Sequence, residues 1–208
     1  MASSFSQHAE RKQPNRRLQR HFDKAHNKNM LLPVLAFVLG IVSWTFVEYA
    51  VHGWMAHLYP TFVQRIHAVH HRDPRAVFAI GAWPFVALLL IVPAAVWGIC
   101  LSTLFLCGLV SGFASYEIIH YRLHFARVLT PFEERLRRRH LVHHYANPEV
   151  CLGVSTSFWD RIFHTEPNPE QLKKLLPKIA KFAPLEGPTN LRQAPRLMFG
   201  AWLQSVWR

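Results

Sequence analysis

Apolar and polar residues divide this chain into long blocks. Residues 76–116 carry no charge at all. One membrane-spanning helix takes roughly 20 apolar residues, so this run predicts two spans joined by a tight turn, near Pro93 or at residues 98–102. A shorter apolar run over residues 30–51, broken only by Glu48 near its end, predicts a further span. Polar, basic residues 1–29 precede it and read as a surface-lying or flexible arm. Pro131 suits the first position of a helix, and an amphipathic basic helix is expected after it. Residues 153–165 read as a short packed segment. Beyond Pro167 the chain is punctuated by proline. It ends in Leu197, Met198, Phe199, Trp202, Leu203, Val206 and Trp207 at helical spacing, with Arg192, Arg196 and Arg208 nearby. That pattern predicts an interfacial helix. Three regions follow: a basic arm over 1–29, a membrane domain over 30–165, and a tail over 166–208.

Composition sharpens this picture. Half the residues are hydrophobic, yet the formal net charge is +12. Such a balance can signal nucleic acid, but the apolar blocks exclude that reading and turn Lys and Arg into flanks facing anionic headgroups. The fold class expected is all-α, with multi-pass membrane helices. Cys100, Cys107 and Cys151 form no disulfide framework. About thirty polar residues before the first apolar run argue against a signal peptide.

The chemistry is carried by histidine. Ten of the fourteen fall into four clusters: His52 and His57; His67, His70 and His71; His120 and His124; His140, His143 and His144. Neutral imidazole is the commonest metal ligand, and an i, i+3, i+4 spacing puts three side chains on one helical face. Ten imidazoles exceed one ion and suit two, leaving about two of roughly twelve octahedral positions open. The i, i+5 spacing of His52 and His57 does not fit one face of an α-helix; Gly53 loosens the helix, or the pair serves different ions. His8, His21 and His26 lie in the arm and read as bystanders.

Metal-bound imidazoles need partners for their second nitrogen. Glu48 and Glu117 stand four and three residues before a clustered histidine and are candidates for that role, as is Asp160. Asp73 and Glu149 read as exposed carboxylates. Two spans between the second and third clusters return the chain to one side, so all ten histidines can meet. Arg135, Arg137, Arg138 and Arg139 place that side in the cytoplasm. The basic arm then conflicts with one full crossing by residues 30–51, and a partial crossing is the expectation.

At EYAVHGWMAH, HAVHH, YEIIHYRLH, RRRHLVHH and GVSTSFWDRIFHT, the chain resembles the fatty acid hydroxylase superfamily, the histidine-box membrane proteins that include sterol desaturases. Within it the likeness is to fatty acid 2-hydroxylases, over roughly residues 38–165. The resemblance implies a cytoplasmic helical cap on membrane helices, holding a dinuclear site of ten histidines. It implies oxygen-dependent hydroxylation of an acyl chain at C2, with two metal ions, iron in turnover and zinc in purified protein, and O2 as co-substrate. Members of this family often carry a cytochrome b5 domain. No heme motif stands here, so a separate cytochrome b5-like or ferredoxin-like donor is expected, docked on the basic surface around residues 135–139. One span fewer than usual precedes the first cluster, and His164 stands where glycine is usual. The substrate is expected from the bilayer, past Trp44, Phe46, Trp54, Phe113 and Phe158. A bacterial inner membrane or the endoplasmic reticulum fits. Two other readings keep the metal site: a carotenoid or sterol hydroxylase or desaturase, and a non-catalytic metal-binding membrane protein.

Overall fold

The structure, a computed structural model, describes residues 16–180. The expected interfacial helix near the C-terminus lies outside those residues. Among the described residues the chain is helical or irregular, without strands. Helix α1 runs over Arg16–Tyr49, so the second half of the expected arm continues it. A π-helical stretch, Ala50–Leu58, extends α1 directly. Then come α2 (Phe62–Arg72), α3 (Trp83–Trp97), α4 (Leu101–Phe125), α5 (Pro131–Tyr145), α6 (Phe158–Ile162) and α7 (Pro169–Ile179).

Two stretches are long and apolar enough to cross a bilayer, Leu31–Leu58 and Leu101–Phe125. Their apolar side chains are largely uncovered by the protein: Leu32 and Leu39 are each 58% exposed. Water would penalise such a surface, and lipid would not. The first stretch is 28 residues, so its length does not demand the partial crossing expected above. The two pack in parallel through glycine. A Cβ on Gly108 would lie 2.0 Å from the Phe37 carbonyl, and one on Gly40 would lie 2.1 Å from that of Phe105. Gly112 likewise admits Trp44. Small residues give the close approach that membrane helices use.

The uncharged run does not divide into two full spans. Residues 76–82 fold back on the end of α4: Phe78 stacks on Tyr121 at 5.5 Å, and Val77 is buried beside Phe125. That leaves α3 only 15 residues, roughly 22 Å of helix against a core of roughly 30 Å. The turn falls at Gly98, whose φ of 68° closes α3 as a glycine should, whereas Pro93 sits inside the helix.

Beyond α4, capping fixes the geometry. Thr130 and Glu133 form a capping box with Pro131 in the first turn of α5. Arg137 turns inward and donates to the Leu123, Arg122 and Ala126 carbonyls, satisfying the frayed end of α4. Helix α7 opens on a second capping box and packs on α5, where Ile179 joins Val142 and Cys151 in a buried cluster.

Candidate metal centre

Each cluster is delivered by one element, and all ten histidines converge. In an α-helix residues five apart stand about 140° apart. The π-helix forms i→i+5 hydrogen bonds and its wider turn nearly aligns them. Tyr59 N–H bonds the Trp54 carbonyl at 3.0 Å in that register, and the His52 and His57 rings stand 5.6 Å apart. The awkward spacing therefore resolves onto one face. Helix α2 contributes His67, His70 and His71; α4 contributes His120 and His124; α5 contributes His140, His143 and His144.

The rings sort into two adjoining nests. One holds His70, His120, His124, His140 and His144, and the other holds His52, His57, His67 and His143; within each, ring nitrogens lie within 4.8 Å of one another. His71 joins the second nest, its Nε2 standing 2.9 Å from that of His67 and 3.2 Å from that of His143. In the first nest Nε2 of His140 stands 3.0 Å and 2.8 Å from those of His120 and His124. For metal–nitrogen bonds of about 2.1 Å, ligands at right angles stand about 3.0 Å apart, which is the spacing seen. Nε2 of His52 and His57, and both nitrogens of His70 and His144, are buried without a hydrogen-bond partner. Buried polar nitrogens left this way are costly, and a metal ion in each nest would satisfy one nitrogen of each ring. The donor set fits such ions.

The electrostatics agree. Burial, reinforced by the neighbouring imidazoles, holds His67, His70, His140, His143 and His144 well below the usual imidazole range. His71 is lowered to about 4 for the same reasons. All six rings are thus neutral near pH 7, the form that binds metal.

The orienting groups differ from those expected. No carboxylate hydrogen-bonds a clustered imidazole among the described residues. His52 Nδ1 meets the Leu152 carbonyl at 2.5 Å, and His143 Nδ1 meets the Val150 carbonyl at 3.2 Å. Sequence reasoning missed both, because a backbone carbonyl leaves no residue signature. Glu48 instead accepts from Val154 N and Ser155 N at 2.7 and 2.9 Å, and from the Ser155 hydroxyl. Glu117 accepts from Ala79 N at 3.2 and 3.1 Å, pinning the segment before α3. Asp160, fully buried, accepts from Leu152 N, Gly153 N, the Thr165 hydroxyl and Arg139.

Other expected features separate. The arginine-rich stretch splits: Arg137 and Arg139 turn inward, and Arg135 and Arg138 are exposed. Trp44 and Phe113 pack together below His120, with Tyr116 between, whereas Phe46 and Trp54 pack with Phe163 on another side. Phe158 is 54% exposed. These five aromatics therefore line no single path. His164 is exposed, with a φ of 58°, the left-handed conformation that explains the glycine usual there.

Fatty acid 2-hydroxylase of Rattus norvegicus is 35% identical over 150 residues, covering 62% of this chain and 38% of that protein. Dihydroceramide fatty acyl 2-hydroxylase FAH1 of Arabidopsis thaliana is 31% identical over 161 residues, covering 69% and 65%. The chain thus spans less than two thirds of the length of these curated relatives. The solved structure of full-length scs7p, with only its hydroxylase domain visible, superposes with a TM-score of 0.52 at 28% identity, covering 67% of this chain and 58% of that one. The sequence profile of the fatty acid hydroxylase family matches residues 37–165, the segment that carries all four histidine clusters, and the chain belongs to that family.

Proposed function

We propose that this chain is a membrane-bound, oxygen-dependent hydroxylase that uses two metal ions to hydroxylate a lipid acyl chain at C2. The observation that carries the reading is the pair of adjoining imidazole nests with unsatisfied buried nitrogens. The relatives named as fatty acid 2-hydroxylase and dihydroceramide fatty acyl 2-hydroxylase support the substrate class. Imidazole suits iron and zinc alike; iron is the ion proposed for turnover. When bound and reduced, such a pair supplies the oxygen activation needed to attack an unactivated C–H bond. The overall balance is a C–H group, O2, two electrons and two protons giving C–OH and water.

The chain's own residues set the stage. Counting His71, five imidazoles would hold an ion in each nest, fewer than the six ligands such ions take. The Leu152 and Val150 carbonyls orient two of those rings. His120 and His140 are buried to 2% and 1% exposure, keeping water from the first nest. From Leu101 to His120, α4 rises roughly 28 Å, close to the roughly 30 Å core of a bilayer. That rise supports a position for the nests at the lipid boundary, with the acyl chain entering from the membrane. The exposed Arg135 and Arg138 support a cytoplasmic setting for that side by the positive-inside tendency. The two electrons come from a separate donor protein.

The test is mass spectrometry of hydrolysed lipids from cells expressing this chain, beside a His143→Ala variant. A 2-hydroxy acid made only by the intact chain is expected. A hydroxylated sterol or carotenoid instead, or no oxidised lipid from a folded, metal-loaded and donor-supplied protein, would overturn the acyl C2 reading.

A further inference from the structure

The segment over residues 150–155 bonds to the site and to the scaffold at once. Five successive backbone N–H groups along it are engaged. Cys151 N donates to the Thr165 carbonyl at 3.0 Å, and Leu152 N and Gly153 N donate to the two oxygens of Asp160 at 2.7 and 3.1 Å. Val154 N and Ser155 N donate to Glu48. Cys151, Leu152 and Val154 are no more than 2% exposed. Cys151 holds a φ of 56°, a left-handed conformation that a side chain adopts only when its surroundings impose it.

The opposite edge of the same segment meets two histidines of one nest. A carbonyl cannot donate, so the Nδ1 atoms of His52 and His143 must carry the proton there. Their Nε2 atoms are thereby left with a free lone pair, directed into the nest. No histidine of the other nest touches this segment by a hydrogen bond among the described residues.

The two buried carboxylates that hold the segment come from distant elements. Glu48 is at the end of α1, and Asp160 is in α6, with Arg139 of α5 at 2.9 Å balancing the charge of Asp160. Tyr49 donates to the Thr165 hydroxyl at 2.9 Å, and that hydroxyl donates to Asp160 at 2.7 Å, so α1 is tied to Asp160 as well.

We infer that Asp160 is a positioning residue for one metal position only: through residues 150–153 it fixes the Nδ1–H tautomer of His52 and His143, and so governs retention of the ion in their nest. This rests on the two-metal reading above. The carboxylate touches no ligand: it holds Gly153 N, in the same peptide as the Leu152 carbonyl, and Leu152 N, and it reaches the Val150 carbonyl through the adjoining Cys151, whose own N–H is held by the Thr165 carbonyl. Outer partners of metal-bound imidazoles characteristically carry a 10- to 100-fold share of metal affinity.

The experiment counts metal in the full chain purified in detergent, before and after a timed challenge with a chelator, for the unaltered protein, Asp160→Asn and Asp160→Ala. Helicity by circular dichroism is measured alongside. The unaltered protein is expected to hold two equivalents. Asp160→Asn keeps one acceptor oxygen but presents an amide to Gly153 N–H and Arg139. It is expected to release one equivalent about 10-fold faster and to keep the other at the original rate, with helicity unchanged. Asp160→Ala is expected to be purified with one equivalent. If Asp160→Ala does not fold, Asp160→Asn decides alone. Release of both equivalents together, or of neither, from folded Asp160→Asn overturns the inference. An unaltered protein that holds no metal overturns instead the two-metal reading on which it rests.

Discussion

At the scale of single residues, His164 shows how a local departure can be harmless to the site. Its φ of 58° places a side chain where glycine is at ease, and its ring is exposed, away from both nests. A left-handed non-glycine residue costs about 1–2 kcal/mol, partly offset by the roughly 0.5–1 kcal/mol of chain freedom that glycine loses on folding. His164→Gly is therefore expected to stabilise the protein by about 0.5–1 kcal/mol. Thermal melting in detergent should rise slightly with metal content unchanged; a fall in bound metal would contradict the exclusion of His164 from the site. Which histidines cluster was legible in the sequence because spacing and chemistry both reside in side chains. The partners of His52 and His143 were not legible, because they are carbonyls, and because Glu48 acts through an amide 106 residues away and Asp160 through one 8 residues away.

At the scale of elements, the parallel contact of α1 and α4 positions the first and third clusters. It depends on the absence of Cβ atoms. Gly108→Leu would drive a side chain into the Phe37 carbonyl, backbone that cannot rotate away. Forced overpacking costs about 1–3 kcal/mol or more. The expected result is a loss of monodisperse protein on size-exclusion chromatography, together with loss of both metal equivalents. Gly98→Ala is the control: nothing lies within 4 Å of its Cβ, so only the strain of its positive φ remains, and metal should stay bound. The apolar runs announced α1 and α4 because lipid-facing helices are apolar over most of their surface. They misled over residues 76–82, where an equally apolar stretch covers α4 instead of crossing. Hydropathy cannot separate those two uses. Nor does it announce a π-helix: the i, i+5 histidine pair was its only trace.

At the scale of the whole molecule, ten imidazoles in one interior make the fold sensitive to acid. Burial keeps the rings on α2 and α5 uncharged when folded, whereas unfolded imidazole titrates near about 6.5. Below that value the unfolded chain binds more protons, so stability is complete above it and declines as pH falls toward about 4, where His71 titrates in the folded chain. Protons also compete for the same lone pairs as the ions. Titrating the purified protein from about pH 8 to about pH 5 should therefore lower the apparent Tm and release metal together, starting below about 6.5. Bound metal that survives to pH 5 with an unchanged Tm would count against imidazole ligation.

The segment over residues 150–155 also bears on the order in which the molecule can be completed. Its bonds to the π-helical stretch and to α1 close loops of 100 and 106 residues, respectively, and its other anchor is Asp160. The last ring of the first nest is at residue 144, so a ribosome has supplied every ligand of that nest before the anchors of the second have emerged. The two nests are thus completed at different moments of synthesis. A chain stopped between residues 145 and 159 would possess all ten histidines and still lack Asp160, which holds the segment whose carbonyls meet His52 and His143.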